Sequence, residues 1–156
     1  MKPVQDTPTR PVDYAALSAG YGALLGALVL GSRQRPGGDG DFRGEIPALG
    51  LASFALSKLI AKEKVESWVR EPFVEETPQG RRPKGTRLRY AVGELLTCTR
   101  CVGAWSSLGL VALRVTRPRE ARVVTAVLAT SALNDFLQTG FTWACAGADA
   151  RKRQSA

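Results

Sequence analysis

The residues of this chain best equipped for chemistry are Cys98 and Cys101, in the run Cys98-Thr99-Arg100-Cys101. The pair precedes an apolar segment with the look of a helix start. Free backbone N–H groups and the helix dipole favour a thiolate there, and Arg100 adds positive charge. Three readings stand: a packing or turn role, a redox dithiol, or half of a four-cysteine zinc site completed by a second subunit. Zinc is the one candidate cofactor, because a single CxxC cannot close a tetrahedral site and Cys145 lies in the last apolar segment. No βαβ pattern surrounds the pair, which argues against a thioredoxin-like fold. The chain has no histidine, which removes Ser-His-Asp and Cys-His catalysis and histidine metal sites.

A second set of polar residues stands in or beside apolar surroundings: Lys58, Glu63, Arg70, Glu94, Asn134 and Asp135. Glu94 comes four residues before Cys98 and shares its face if the turn between them is helical. It reads as an oxygen ligand, a proton acceptor for a thiol, or an interfacial charge. Asp135, with Asn134, interrupts the last apolar run. A carboxylate at membrane depth costs a few kcal/mol and finds a partner; the readings are a proton or ion step, an ion pair with Lys58, or a helix break at Asp135. Arg70 belongs to the compact run Trp68-Val-Arg-Glu-Pro-Phe73, which reads as an interfacial anchor. Its guanidinium suits a lipid phosphate or a carboxylate.

The elements that must position these groups are set by where charge is missing. Mean hydropathy is −0.09 and 23% of residues are charged, yet the charges are segregated. Residues 1–13 are a polar tail. Tyr14–Ser32 runs 19 residues without a charge, about the length that crosses ~30 Å of hydrocarbon. Its Gly22 and Gly26 form a GxxxG pair that allows close helix approach. A Gly-rich loop, Arg33–Glu45, leads to a second apolar span at 46–61. A basic loop over 62–100 follows, with Glu75–Arg89 its most polar and flexible part. Two further spans are expected at 101–115 and 123–148, the former short, the latter strong, before the basic tail at 149–156. This gives an all-α membrane protein of three or four transmembrane helices.

The net charge of +8 suits nucleic acid, an anionic membrane, or basic cytoplasmic loops. No nucleic-acid-binding motif accompanies it, so nucleic acid is the weakest of these partners. With both termini cytoplasmic, fourteen Lys and Arg fall inside against seven outside, which favours that orientation. The pair at Cys98 and Cys101 then faces a reducing compartment.

The run Gly93-Glu-Leu-Leu-Thr-Cys98-Thr-Arg-Cys101-Val-Gly103-Ala-Trp105-Ser-Ser107 resembles the signature of the bacterial family known as domain of unknown function 1360. Upstream, SKLIAKEKVESWVREPF resembles a second family element, with Arg70, Glu71, Pro72 and Phe73 intact. Lys58 stands where that element has Arg and Glu63 where it has Asp, swaps that keep the charge and alter reach and geometry. The resemblance covers about residues 46–145. It implies a multi-pass protein of the bacterial cytoplasmic membrane without an assigned activity. The leading functional expectation is a non-enzymatic scaffold or assembly component in the lipid bilayer. Its partners would be a second copy, through small-residue faces, or other membrane proteins. A metal or thiol site at Cys98 and Cys101 is the alternative, and a soluble basic helical protein on nucleic acid or a lipid surface the third reading.

Overall fold

The computed structural model describes residues 6–33 and 43–154. Pro11 opens α1 (Pro11–Arg33) at a position where a missing N–H costs nothing. The tail expected over 1–13 thus gives up its last residues to this helix. Most of the loop expected over 33–45 lies outside the described residues. A single 3-10 turn, Arg43–Glu45, leads into α2 (Ile46–Lys62), with Pro47 in its first turn. α5 (Thr99–Thr116) and α6 (Pro118–Gln154, 37 residues) complete the long helices.

α2 is the centre of the packing, lying against both α5 and α6. Leu49, Ala52 and Leu110 form the core, with Leu128 and Ala129 packed on it. Alanines make the close approaches: Ala52 and Ala132 are fully buried. The polar residues in this seam pair with one another. Ser53 Oγ donates to the Gly103 carbonyl at 3.0 Å and lies 2.7 Å from Ser107 Oγ. At the opposite end, Arg114 grips Glu45 through two bonds of 2.6 and 2.9 Å. These contacts pair rising residues of α2 with falling residues of α5, so the two helices run antiparallel.

α1 is held far more lightly, chiefly by α4 and α5. Its Tyr21 meets Trp105 edge-on, with ring centroids 5.3 Å apart. A Cβ added at Gly22 or Gly26 would meet nothing within 4 Å, so among the described residues no helix of this chain uses the GxxxG face.

Among the described residues, two helical segments are long and apolar enough to cross a membrane: α1, and α2 with its preceding turn. α4 and α5 reach that standard only together, and they are bent by 89°. α6 does not reach it, because Asn134, Asp135, Gln138 and several threonines dilute its apolar run. Its Val123, Val127, Phe136, Leu137, Phe141 and Trp143 are nevertheless exposed.

The stretch 62–100, expected as a basic loop, is a built unit instead. It holds a single-turn helix α3 (Ser67–Arg70), strands β1 (Val74–Thr77) and β2 (Gly80–Pro83), and α4 (Arg87–Thr97). The strands pair antiparallel, placing Glu75 opposite Arg82 and Glu76 opposite Arg81. Cross-strand pairs of opposite charge favour this register. Gly80, at φ 126°, closes the turn, a backbone region open to glycine and costly to other residues. The fold is therefore all-α with one small hairpin set into it.

Candidate functional site

The elbow between α4 and α5 is built around a glycine. A Cβ at Gly93 would stand 2.5 Å from the Phe73 carbonyl oxygen and 2.9 Å from Pro83 Cβ. Only glycine lets α4 lie this close to the base of the hairpin. α4 then ends at Thr97, and the Cys98 N–H closes the turn on the Glu94 and Leu95 carbonyls, both at 3.1 Å. Cys98 itself is extended, at φ −97° and ψ 105°, and acts as the N-cap of α5. Its sulfur accepts the Cys101 N–H at 3.4 Å and the Cys101 thiol at 2.9 Å. Both cysteines are free and half-buried; Cys145 is exposed on α6. Cys98 lies ahead of the stretch 101–115 expected to span. The Cys101 thiol aimed at its sulfur, the first N–H groups of α5 and the charge of Arg100 hold it below the ordinary thiol range, against its burial.

The two sulfurs open onto a groove of about 990 Å³ bounded by α1, β2, α4 and α5. Tyr14 hydrogen-bonds Glu94 across it, and beside it Arg87 Nε meets Asp13 Oδ2 at 3.0 Å. Glu94 is thus engaged with a tyrosine hydroxyl of α1. Among the described residues no group of three or more His, Cys, Asp and Glu could hold a metal. Zinc at Cys98 and Cys101 would need ligands other than the described residues of this chain.

Arg70 is only 1% exposed, so it is not a lipid-phosphate ligand. Its fork closes the end of α2: it donates to the Ile60 carbonyl, to the Glu63 carbonyl at 2.9 Å and to Glu76 Oε1 at 3.0 Å. Arg81 completes the closure, donating to the carbonyls of Ala61 at 2.6 Å and Lys62 at 2.9 Å. Its Nε shares Glu76 Oε1 at 3.1 Å. The last carbonyls of a helix have no internal partners, and here no glycine ends α2. Hydrogen bonds from both arginines hold the Glu76 carboxyl below its ordinary range, that of Arg70 foremost. Arg89 donates twice to the Pro72 carbonyl, at 3.0 and 2.7 Å, and Lys84 N–H donates to the Phe73 carbonyl at 2.7 Å. The Arg-Glu-Pro-Phe run is therefore the joint between α2, the hairpin and α4.

A family model described as "Protein of unknown function (DUF1360)" matches residues 48–141. The chain belongs to this family. It is also similar to the sporulation protein YjcA of Bacillus subtilis strain 168, 29% identical over 103 residues, which cover 60% of this chain and 87% of that protein. No solved structure matches. The DUF1360 match takes in α2 from its first turn, the hairpin, the elbow and most of α6, and leaves out α1.

Within the DUF1360 region the structure also joins Lys58 to Asp135, with Nζ 3.0 Å from Oδ2. Glu63 stands at the edge of this pair, 3.8 Å from Lys58. Beside it Phe54 stacks on Phe136 at 5.1 Å. Asp135 thus finds its partner within a continuous helix, and the alternative of a helix break is corrected. Asn134 points away and is exposed. The candidate residues fall into three places: the sulfur elbow with Glu94, the Arg70 joint with the Glu63 backbone, and the Lys58–Asp135 pair. Sequence reasoning missed Arg81, Glu76 and Tyr14. The absence of a glycine after Lys62 was the available signal for Arg81 and Glu76, since uncapped carbonyls demand donors from elsewhere. For Tyr14 the sequence carried no signal.

Proposed function

We propose that this chain is a multi-pass protein of the bacterial cytoplasmic membrane that serves as a non-enzymatic scaffold or assembly component. Its spans number three or four, at 14–32, 46–61, 101–115 and, as the fourth, 123–148, the one diluted by polar residues; with four, both termini and the 62–100 unit lie on the cytoplasmic side. The observation that carries the reading is α1: none of its most apolar 18-residue window is buried within the chain. In water that surface would drive association; in hydrocarbon it is at home. The scaffold reading draws on how the cationic side chains of the 62–100 unit are used. Arg70, Arg81, Lys84, Arg87 and Arg89 are spent on backbone carbonyls and ion pairs. The Bacillus subtilis relative is named a sporulation protein, which makes sporulation the first process in which loss of this protein should be scored.

Alkaline carbonate extraction of membranes tests the placement. Retention in the pellet with release by detergent is the expected result; release by carbonate alone defeats the reading. Reporter fusions at each terminus then test the orientation. A second reading, a thiol or metal site at Cys98 and Cys101, is favoured by the 2.9 Å sulfur contact and the groove onto which it opens.

A further inference from the structure

We propose that Cys98 and Cys101 form a thiol–disulfide exchange pair that reduces the disulfide of a peptide bound in the groove between α1 and the α4–α5 elbow. This role rests on the thiol-site reading and chooses redox over metal within it.

The two sulfurs are not equivalent. Cys98 sits at the N-cap with an extended backbone, and its sulfur accepts from both the Cys101 N–H and the Cys101 thiol. Cys101 is the donor in that contact and belongs to the first turn of α5. The sulfur that accepts hydrogen bonds at a helix N-terminus is the one stabilised as thiolate, and the thiolate is the nucleophile. The donor is already in place as the second, resolving thiol. Arg100 is exposed next to Cys101 in the chain, and Arg82 lines the groove with Tyr14, Tyr21, Trp105 and Glu94, whose carboxylate accepts from Tyr14. Aromatic walls and a guanidinium suit a peptide that carries carboxylates.

The Cys98 thiolate attacks one sulfur of the peptide disulfide, forming a mixed disulfide and expelling the other sulfur as thiolate. Cys101 loses its proton to water and attacks Cys98 Sγ, closing the Cys98–Cys101 disulfide and expelling the second peptide thiolate. The peptide disulfide gains two electrons and this chain loses two. A thiol reductant of the glutathione class returns the chain to its dithiol form by the reverse exchange.

The test uses the full chain in detergent and glutathione disulfide as the probe, read by intact mass after alkylation. Wild type is expected to close the Cys98–Cys101 disulfide, and excess glutathione to reopen it. Cys101→Ser is expected to stall as a Cys98–glutathione adduct. Cys98→Ser is expected to react at least about tenfold more slowly, as the loss of a stabilised thiolate predicts. Should a serine variant fail to fold, wild-type Cys98 is alkylated by iodoacetamide across pH. A midpoint below that of a free thiol supports the proposal and one at or above it overturns it. Three results overturn the inference. Equal reactivity of the two single variants removes the assignment of roles. Bound zinc that protects both cysteines defeats the redox choice and keeps the thiol site. Inert cysteines without metal defeat the site reading as well.

Discussion

At the end of α2, two arginines divide four consecutive backbone carbonyls between them and share one carboxylate. α1 offers the opposite case, with an apolar length that touches the rest of the chain mainly through Tyr14 and Tyr21 at one end and along one edge. The first region is fixed by donors, acceptors and one glycine that admits no Cβ. Its residues are individually specified, and a near-synonym fails. The second is fixed by a property summed over a score of residues, which many sequences satisfy equally. The joint resists substitution because buried polar groups must be paired. In the proposed membrane setting the outer helix would tolerate it, because van der Waals contact with lipid is much the same for Leu as for Val.

Four tests probe this contrast, with unfolding followed by circular dichroism in mild detergent. Arg70→Ala should cost the most, about 3 kcal/mol, since it strips the donor from two carbonyls at the end of α2 and leaves Glu76 with Arg81 alone of its two arginines. Arg70→Lys should restore little of it, because an ammonium cannot fork to three acceptors. Gly93→Ala should cost about 2 kcal/mol by forcing a methyl into the Phe73 carbonyl, and should expose the hairpin to trypsin at Arg81. A cost under half of that would mean that α4 and the hairpin yield easily, and the contrast would weaken.

The third is a pH effect. Glu76 ionises more readily in the folded chain than the ordinary value of 4.5. Its contribution is therefore complete above that value and is lost as pH falls through the lower, folded one. Glu76→Gln should remove stability at neutral pH and flatten the acid side of the stability curve; an acid limb identical to wild type would show that Arg70 and Arg81 hold without it. The smallest effect is expected at Gly22→Leu combined with Gly26→Leu, within about 0.5 kcal/mol. A larger loss, dependent on protein concentration, would show that a second copy packs there.

Much of the helical part was legible because it depends on summed hydropathy: runs of uncharged residues marked α1 and α2 within a few positions. The Lys58–Asp135 pair was legible too, since a charge in an apolar run needs an opposite charge. The hairpin was not. Val74–Thr77 and Gly80–Pro83 carry few β-branched or aromatic residues, and their polar character reads as a loop. They are held as strands by tertiary contacts, through Arg81 on α2 and Gly93 on α4, which no local pattern displays. Arg70 was visible as a candidate and half-assigned: the carboxylate partner was anticipated as a type, while the helix carbonyls were not. The sulfur pair was legible as a motif, and its hydrogen-bond direction became visible only once the 89° bend placed Cys98 at an N-cap.

The closure of α2 also has a timing. Arg81 follows Lys62 by 19 residues, and a bacterial ribosome adds roughly 5–20 residues each second. The end of α2 therefore leaves the ribosome about one to four seconds before the group that finishes it. During that interval the Ala61 and Lys62 carbonyls lack the donor that the folded chain gives them, and the helix end is frayed. Synthesis of the hairpin is what ends the wait. A pause in translation after Lys62 would prolong that exposed state, and one after Arg89 would not, so the order of the chain itself schedules when this helix becomes complete.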